Sequence, residues 1–446
     1  MRTLHLALTY TIYGLLFATL ITSCRPEDTA DSVDARAFDA KIATQWMDMA
    51  RTLTKKCAGF TPPVAGRAFG YMGLALYETV VPGMPEYSSL SNQLTNFAQN
   101  VKPENGQEYH WPLAANAAMA SMARKLYGNM TTEYAAQVDA LETQLRTEYP
   151  GIGADVIARS EAYGQQVAEA IFAYSTADGG HEGYLTNFPT YEIPTGEGFW
   201  VPTSTTNLKA MQPYWGNNRS FVPNCTPNTQ PAAPIIFSTA DTSVFYAQAL
   251  QVYAVTSNLT DEQKIIAKYW SDDPGEPGTP PGHSISITTQ VIEAENATLA
   301  VAAEAYCKVG IAISDAFVSC WKCKYTYNLM RPVTYIRQQI NPSWGPILGT
   351  PPFPEYTSGH SVQSAATAQA LSDMFGYNYV FTDKTHALRS DINGAPRSYD
   401  SFFEFAEEAA ISRLYGGIHY IEAIEKGINQ GKKVGTELDK LQFRNF

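Results

Sequence analysis

Three short stretches in the C-terminal half, KYTYNLMRP, YTSGHS and SRLYGGIHY, carry residue types that could together hold and attack a tetrahedral oxyanion. In the first, Lys324 and Arg331 stand seven residues apart, two helical turns, which places both on one face. Pro332 then biases Arg331 towards a helix end. In the second, Ser358 offers a hydroxyl, Gly359 lets backbone approach a ligand, and His360 can exchange protons. His360 also falls in the first turn of the helix predicted for SVQSAATAQALSDMF, beside unpaired backbone N–H groups and the positive end of the dipole. In the third, Arg413 ends a helix, Gly416 and Gly417 turn the chain, and His419 stands at the next helical start. Three cations, a hydroxyl, backbone donors and two histidines suffice to bind an oxyanion and attack it. At about 4 Å and an effective dielectric near 20, each cation contributes roughly 4 kcal/mol of gross attraction. Such a site would be local, because the chain as a whole has a formal net charge of −12.

The elements that must position these residues read as helices. Apolar residues recur at three- and four-residue steps in AFDAKIATQWMDMARTLTKKC, PPVAGRAFGYMGLALYETVV, PLAANAAMASMARKLYG, TEYAAQVDALETQLRTEY and ADVIARSEAYGQQVAEAIFAYS. They recur again in DTSVFYAQALQVYAVTS, TDEQKIIAKYWS, SFFEFAEEAAISRLYG and IHYIEAIEKGINQGKKVGTEL. A long Ala-rich stretch is expected to run as helix from SISITTQ through CKYTYNLM. Strand signals are scarce, so the fold class is all-α and bundle-like. Residues 178–238, rich in Pro, Gly and aromatics, are too long for a plain linker and are expected to wrap the surface or cover a site. The division predicted is a helical region over 36–240 and a second helical domain over 241–446.

The composition excludes some classes. Hydrophobic residues make up 45% and charged residues 17%, which is globular rather than disordered. The acidic balance and the lack of a basic stripe exclude nucleic acid as a partner. The N-terminus, MRTLHLALTYTIYGLLFATLITSC, reads as a secretory signal over residues 1–23. Small residues directly before Cys24 resemble a bacterial lipobox, with lipidation of Cys24 and a polar tether over 24–35. The expectation is an exported chain, lipid-anchored to a bacterial membrane, the outer membrane, and facing the periplasm or the surface. No later stretch has the roughly 18–20 apolar residues that would span a bilayer. Export permits disulfides, but beyond Cys24 five cysteines remain, an odd number. Cys320 and Cys323 have CxxC spacing inside a helical pattern, without the βαβ context of a redox site.

Lys-x6-Arg-Pro, Ser-Gly-His and Ser-Arg-x5-His together resemble the three-part signature of the vanadium-dependent haloperoxidase and type 2 phosphatidic acid phosphatase superfamily. The longer phrases ISDAFVSCWKCKYTYNLMRPVTYIR and PPFPEYTSGHS are similar to its soluble bacterial haloperoxidase-like branch. The resemblance implies two helical bundles with the site in the C-terminal one. It implies that Lys324, Arg331, Ser358, Gly359 and Arg413 bind vanadate, or phosphate in the same place. His419 would ligate vanadium or become the phosphorylated nucleophile, His360 would be the general acid/base, and Lys324 would polarise bound peroxide. The activity implied is halide oxidation by hydrogen peroxide, with an acid-phosphatase-type phosphomonoesterase as the alternative. Two positions depart from the pattern. Thr357 replaces the usual Pro, and Ala423 stands where the family often has an Asp that orients the last histidine. Glu422 or Glu425 is the expected substitute, since a carboxylate would fix the ring's tautomer.

Five further features bear on the site. Trp321, one turn before Lys324, is a candidate to line the anion pocket, and His283 in TPPGHSIS a candidate for its mouth. Asp272-Asp273 before Pro274 reads as turn chemistry rather than a cation site, and His386 has no supporting neighbours in sequence. The aromatic run over 184–221 is the basis of a third reading, a non-catalytic surface lipoprotein that binds an oxyanion or a glycan.

Overall fold

The structure, a computed structural model, describes residues 32–272 and 275–445. The predicted signal peptide, Cys24 and most of the predicted tether lie outside the described residues. The N-terminal helices are α1 (Lys41–Lys56), α2 (Pro62–Val80), α3 (Trp111–Leu126), α4 (Thr132–Thr147) and α5 (Ala154–Thr176). After the irregular segment and one short turn, α6 (Cys225–Thr229), come α7 (Val244–Ser257), α8 (Asp261–Tyr269), α9 (Thr279–Ala294) and α10 (Leu299–Tyr327). The remainder is α11 (Pro332–Gln339), α12 (Gly359–Phe375), α13 (Phe402–Tyr415) and α14 (Ile421–Leu438). A small antiparallel pair, β1 (Phe381–Asp383) and β2 (Arg397–Tyr399), joins Phe381 to Tyr399. The protein is all-α and built of helical bundles. Among the described residues no helix is long and apolar enough to cross a membrane.

Two helices form its centre. Pro63–Val80 of α2 is buried all round, as its apolar sequence demands, and α10 is buried almost without break from Leu299 to Lys324. They touch backbone to backbone at glycines. A Cβ on Gly310 would lie 2.6 Å from the Phe69 carbonyl, and one on Gly73 would strike that of Tyr306. One apolar cluster runs from Ala35 through both helices to Phe443, so the core spans both sides of residue 240.

The Ala-rich stretch is not one helix. Asn296 takes a left-handed conformation (φ 48°) and Thr298 caps α10 by accepting from the Val301 N–H. Asn, which tolerates that region, followed by a Thr cap is a break signal that composition hid. Nor do Lys324 and Arg331 share a helix. α10 ends at Tyr327 with Asn328 left-handed, and Arg331 is the extended residue before α11. All five cysteines among the described residues are free and buried, including Cys320 and Cys323.

Segment 178–238 does wrap the helices. Trp200 donates its N–H to the Asn328 carbonyl (2.6 Å) and Gly198 accepts from Met330 (2.9 Å), covering the α10–α11 junction. Asp315, inside α10, accepts from the backbone of Phe221 (2.7 Å) and Val222 (2.9 Å). Burial pushes this carboxyl up to about 7, against those hydrogen bonds, and burial raises Glu78 to about 7 as well. Raised carboxyl values favour folding at pH below the unfolded values of 3.8 and 4.5, and that stability is lost as pH rises through about 7. Thermal melting is therefore expected to fall between pH 5 and 8, and Asp315→Asn to flatten its share of the slope. An unchanged slope in that variant would contradict the assignment.

α12 is held against α14 by a glycine stripe, Gly427, Gly431 and Gly435. A Cβ on Gly427 would lie 2.7 Å from that of Ser361 and 3.0 Å from the Ser358 carbonyl, and one on Gly431 would strike the Val362 carbonyl. Gly431→Ala is expected to cost about 1–3 kcal/mol in denaturant unfolding by forcing these helices apart.

Candidate active site

The close approach of α12 and α14 brings the second and third sequence motifs together. Ser358 caps α12, accepting from the Ser361 N–H (3.4 Å), and its own N–H reaches the Ala423 carbonyl (3.1 Å). Gly359 and His360 form the first turn of α12, and Arg413 projects from the last turn of α13. His419 lies just ahead of α14, beyond the turn that Gly417 makes at φ 77°.

Arg331 is fully buried. Its Nε donates to the Phe353 carbonyl (2.9 Å), and Nη1 donates to the Ile418 carbonyl (2.8 Å) and lies 3.1 Å from His419 Nε2. Its Nη2 has no hydrogen-bond partner among the described residues. Lys324, also fully buried, donates to the carbonyls of Pro354 (3.0 Å), Glu355 (3.0 Å) and Thr357, tying the loop before α12 to α10. Its ammonium therefore acts on the site through charge, with all three N–H groups engaged. Arg413 Nη1 lies 3.2 Å from His360 Nε2.

The carboxylate that orients His419 is neither Glu422 nor Glu425. Glu422 accepts from the Ile235 backbone (3.0 Å), and Glu425 is exposed. Their positions on α14 point them away from a ring that precedes the helix. Glu355 takes the place instead. Its Oε1 is 2.7 Å from His419 Nδ1 and accepts from the Tyr420 N–H (2.9 Å). A carboxylate acceptor keeps the proton on Nδ1 and leaves Nε2 with a lone pair facing Arg331. Sequence reasoning missed Glu355 although it sits in PPFPEYTSGHS. The available signal was an acidic residue in an apolar, Pro-rich run, which is costly to bury unless it is paired.

The charge balance is lopsided. Lys324 and Arg331 are buried beside one carboxylate, with Arg413 close by. Burial pushes Lys324 down to about 8 and Arg331 down to about 10. Burial raises Glu355 to about 7, against the pull of Arg331 and Lys324. His419 is held well below the usual histidine value by burial and by Arg331, Lys324 and Arg413. His360 is held down by burial and by Arg413. Both rings are neutral at pH 7, and the surplus is positive. The group that would relieve it is an anion.

A cavity of about 380 Å³ opens onto Gly359, His360, Arg413 and His419. Trp321 lines it together with Met211, Phe317, Phe353 and Leu348. Ser358 adjoins the lining residue Gly359, Arg331 lies 3.1 Å from His419, and Lys324 lies 5.0 Å from the Phe353 ring. His283 does not reach the mouth. It is buried between Asp272 Oδ1 (2.9 Å) and Asp383 Oδ2 (2.8 Å), because α9 turns that face into the core. Asp272 is likewise no mere turn former, and His386 does have a neighbour, since its Nε2 lies 3.3 Å from Asp272. Asp273 lies outside the described residues.

Fold and site together define a helical-bundle protein with a buried cationic cradle around an oriented histidine. The family model for the second helical-bundle domain of VCPO matches residues 304–444. A vanadium chloroperoxidase of Curvularia inaequalis is 24% identical over 80% of this chain and 74% of its own length. The crystal structure of the first bacterial vanadium-dependent iodoperoxidase is 34% identical, with a TM-score of 0.82 over 92% of this chain and 98% of that one. A holo-type bacterial vanadium-dependent chloroperoxidase shares the fold at 16% identity, with a TM-score of 0.65 over 86% of this chain and 93% of that one. The chain belongs to the vanadium-dependent haloperoxidase superfamily.

Proposed function

We propose that this protein oxidises halide with hydrogen peroxide at a vanadate held in the cavity. The observation that carries this reading is the Glu355–His419 pair, which presents a lone-pair nitrogen among three buried cations. The residues present fit the group. Arg331 Nη2 is a buried donor with no acceptor among the described residues, Lys324 and Arg331 outnumber their carboxylate, and the imidazole is neutral. Lys324, Arg331 and Arg413 would supply charge, Ser358 and Gly359 donors, and His419 Nε2 the bond to vanadium. Bound vanadate supplies the activation of peroxide towards a halide.

This chain's residues do the rest. Glu355 fixes the tautomer of His419. His360, neutral at rest, accepts a proton at its ring nitrogen and returns it. Lys324 contributes positive potential while bracing the 354–357 turn. Trp321, Phe317, Met211 and Phe353 exclude bulk water from the floor of the cavity, which strengthens each charge acting there.

The same pair supports a second reading, phosphomonoester hydrolysis, in which His419 Nε2 attacks phosphorus and His360 protonates the leaving alcohol. The binding-only reading has less support, because Trp200, Trp215 and Phe221 of the aromatic run are buried in packing, while Phe188, Phe199 and Tyr214 stay exposed. Protein stripped in phosphate-free buffer and divided in two decides between the enzymatic readings. One half receives orthovanadate, peroxide, halide and a halogen-accepting dye; the other receives a chromogenic phosphate ester. Vanadate-dependent halogenation is the expected result, and ester hydrolysis that vanadate inhibits would overturn it. Export and lipid anchoring at Cys24 belong to the same proposal on sequence grounds, and Cys24→Ser is expected to release the protein from membranes.

A further inference from the structure

Behind His360 lies a buried chain of titratable groups that the mechanism above leaves unused. Asp272 Oδ1 is bonded to His283 Nδ1 (2.9 Å), and His283 Nε2 to Asp383 Oδ2 (2.8 Å). Asp383 is fixed in turn by the Tyr269 hydroxyl (2.7 Å) and the Thr385 N–H (2.8 Å). Trp270 stacks on the His283 ring at 4.4 Å. The side chains of Asp272, His283, Asp383 and His386 are at most 1% exposed. One atom of the chain is left over. Asp272 Oδ2 is buried without a hydrogen-bond partner among the described residues, and it lies 3.9 Å from His360 Nε2.

We propose that Asp272, locked in place by His283 and Asp383, is the positioning residue for His360 and stabilises its imidazolium when it takes a proton. The proposal rests on the reading of His360 as the proton carrier. The proton stays on His360 throughout, and Asp272 remains ionised because its other oxygen is already held by His283. Asp272 cannot swing away, since rotation would break that bond in a packed interior.

The charges around the pair agree with this arrangement. Burial, Arg413 and the more distant His283 disfavour the charged form of His360, and Asp272 and the Trp270 carbonyl are the groups that favour it. Asp272 faces His283 and His386, and Arg389 also feels its charge. Burial alone would lower His283, but the two carboxylates raise it to about 9, so its proton is present at neutral pH. That raised value makes the lock firm below about pH 7 and loosens it as pH rises through about 9.

The donor atoms of Asp272, His283 and His386 lie within 4.8 Å of one another, a spacing that would also suit a metal ion. The hydrogen bonds argue for a proton instead. Both nitrogens of His283 meet carboxylates at hydrogen-bond distance, which requires N–H at each. A metal at Nδ1 would displace one of these bonds.

The test uses the full chain without vanadate, labelled at histidine and followed by NMR, with His360→Gln identifying the resonance. In Asp272→Asn the half-protonation pH of His360 is expected to fall by about one unit or more, since an opposite charge at this range is worth one to three. Asp383→Asn is expected to move it in the same direction by less. An unchanged His360 titration in either variant, with the melting temperature retained, would overturn the proposal. So would one equivalent of divalent metal in the purified protein that His386→Ala releases. Should Asp272→Asn fail to fold, Asp383→Asn carries the test alone. Because neither vanadate nor turnover enters the readout, failure of the peroxidase reading is detected separately.

Discussion

His419→Ala is expected to abolish vanadate-dependent halide oxidation, by roughly 10³-fold or more, as removal of a member of a catalytic unit does. Only Nε2 of this ring is free of a carboxylate, and it lies 3.1 Å from a buried guanidinium. Neither His360 nor His283 can replace it. His360 sits across the cavity beside Arg413, and His283 has both nitrogens engaged. The cationic cradle survives the substitution, so weak oxyanion binding should persist while turnover disappears. Activity within tenfold of the wild type would show that His419 neither ligates nor attacks.

The second large effect is expected at Glu355. Truncation to Ala removes the acceptor for His419 Nδ1–H and Tyr420 N–H, and it leaves two buried cations without their carboxylate. Loss of an outer partner of this kind typically costs 10–100-fold in metal affinity. Breaking a buried charge pair costs about 3–5 kcal/mol in stability. Glu355→Gln separates the two consequences. The amide oxygen can still accept from His419 and Tyr420, so the ring stays oriented while the charge is lost. Gln is expected to retain more vanadate affinity than Ala and to unfold at lower denaturant than the wild type. Equal affinities for the two variants would mean that orientation contributes nothing.

The fold was legible where periodicity was long and uninterrupted, as in α2, α5 and α14. It misled where residue type concealed a break, since Asn296-Ala297-Thr298 divides what reads as one Ala-rich helix. The two-turn spacing of Lys324 and Arg331 suggested a shared face, yet a left-handed Asn328 separates them and both arrive at the site by different routes. The oxyanion residues were readable because their chemistry is concentrated in three short motifs. Glu355 was not, because it is 64 residues from the histidine it orients. Asp272, His283 and Asp383 are further dispersed, and only the packing of α9 against β1 joins them. The glycine stripe of α14 could have been read from its four-residue repeat, which licenses a close helix contact. Local spacing identifies groups that act on a ligand more readily than the groups that act on them.

The most direct measurement is equilibrium dialysis of the full chain against orthovanadate in phosphate-free buffer, with bound vanadium quantified for the wild type and His419→Ala. One equivalent per chain in the wild type, largely lost in the variant, is the result this account predicts. No binding in the wild type, or equal binding by both, would contradict it.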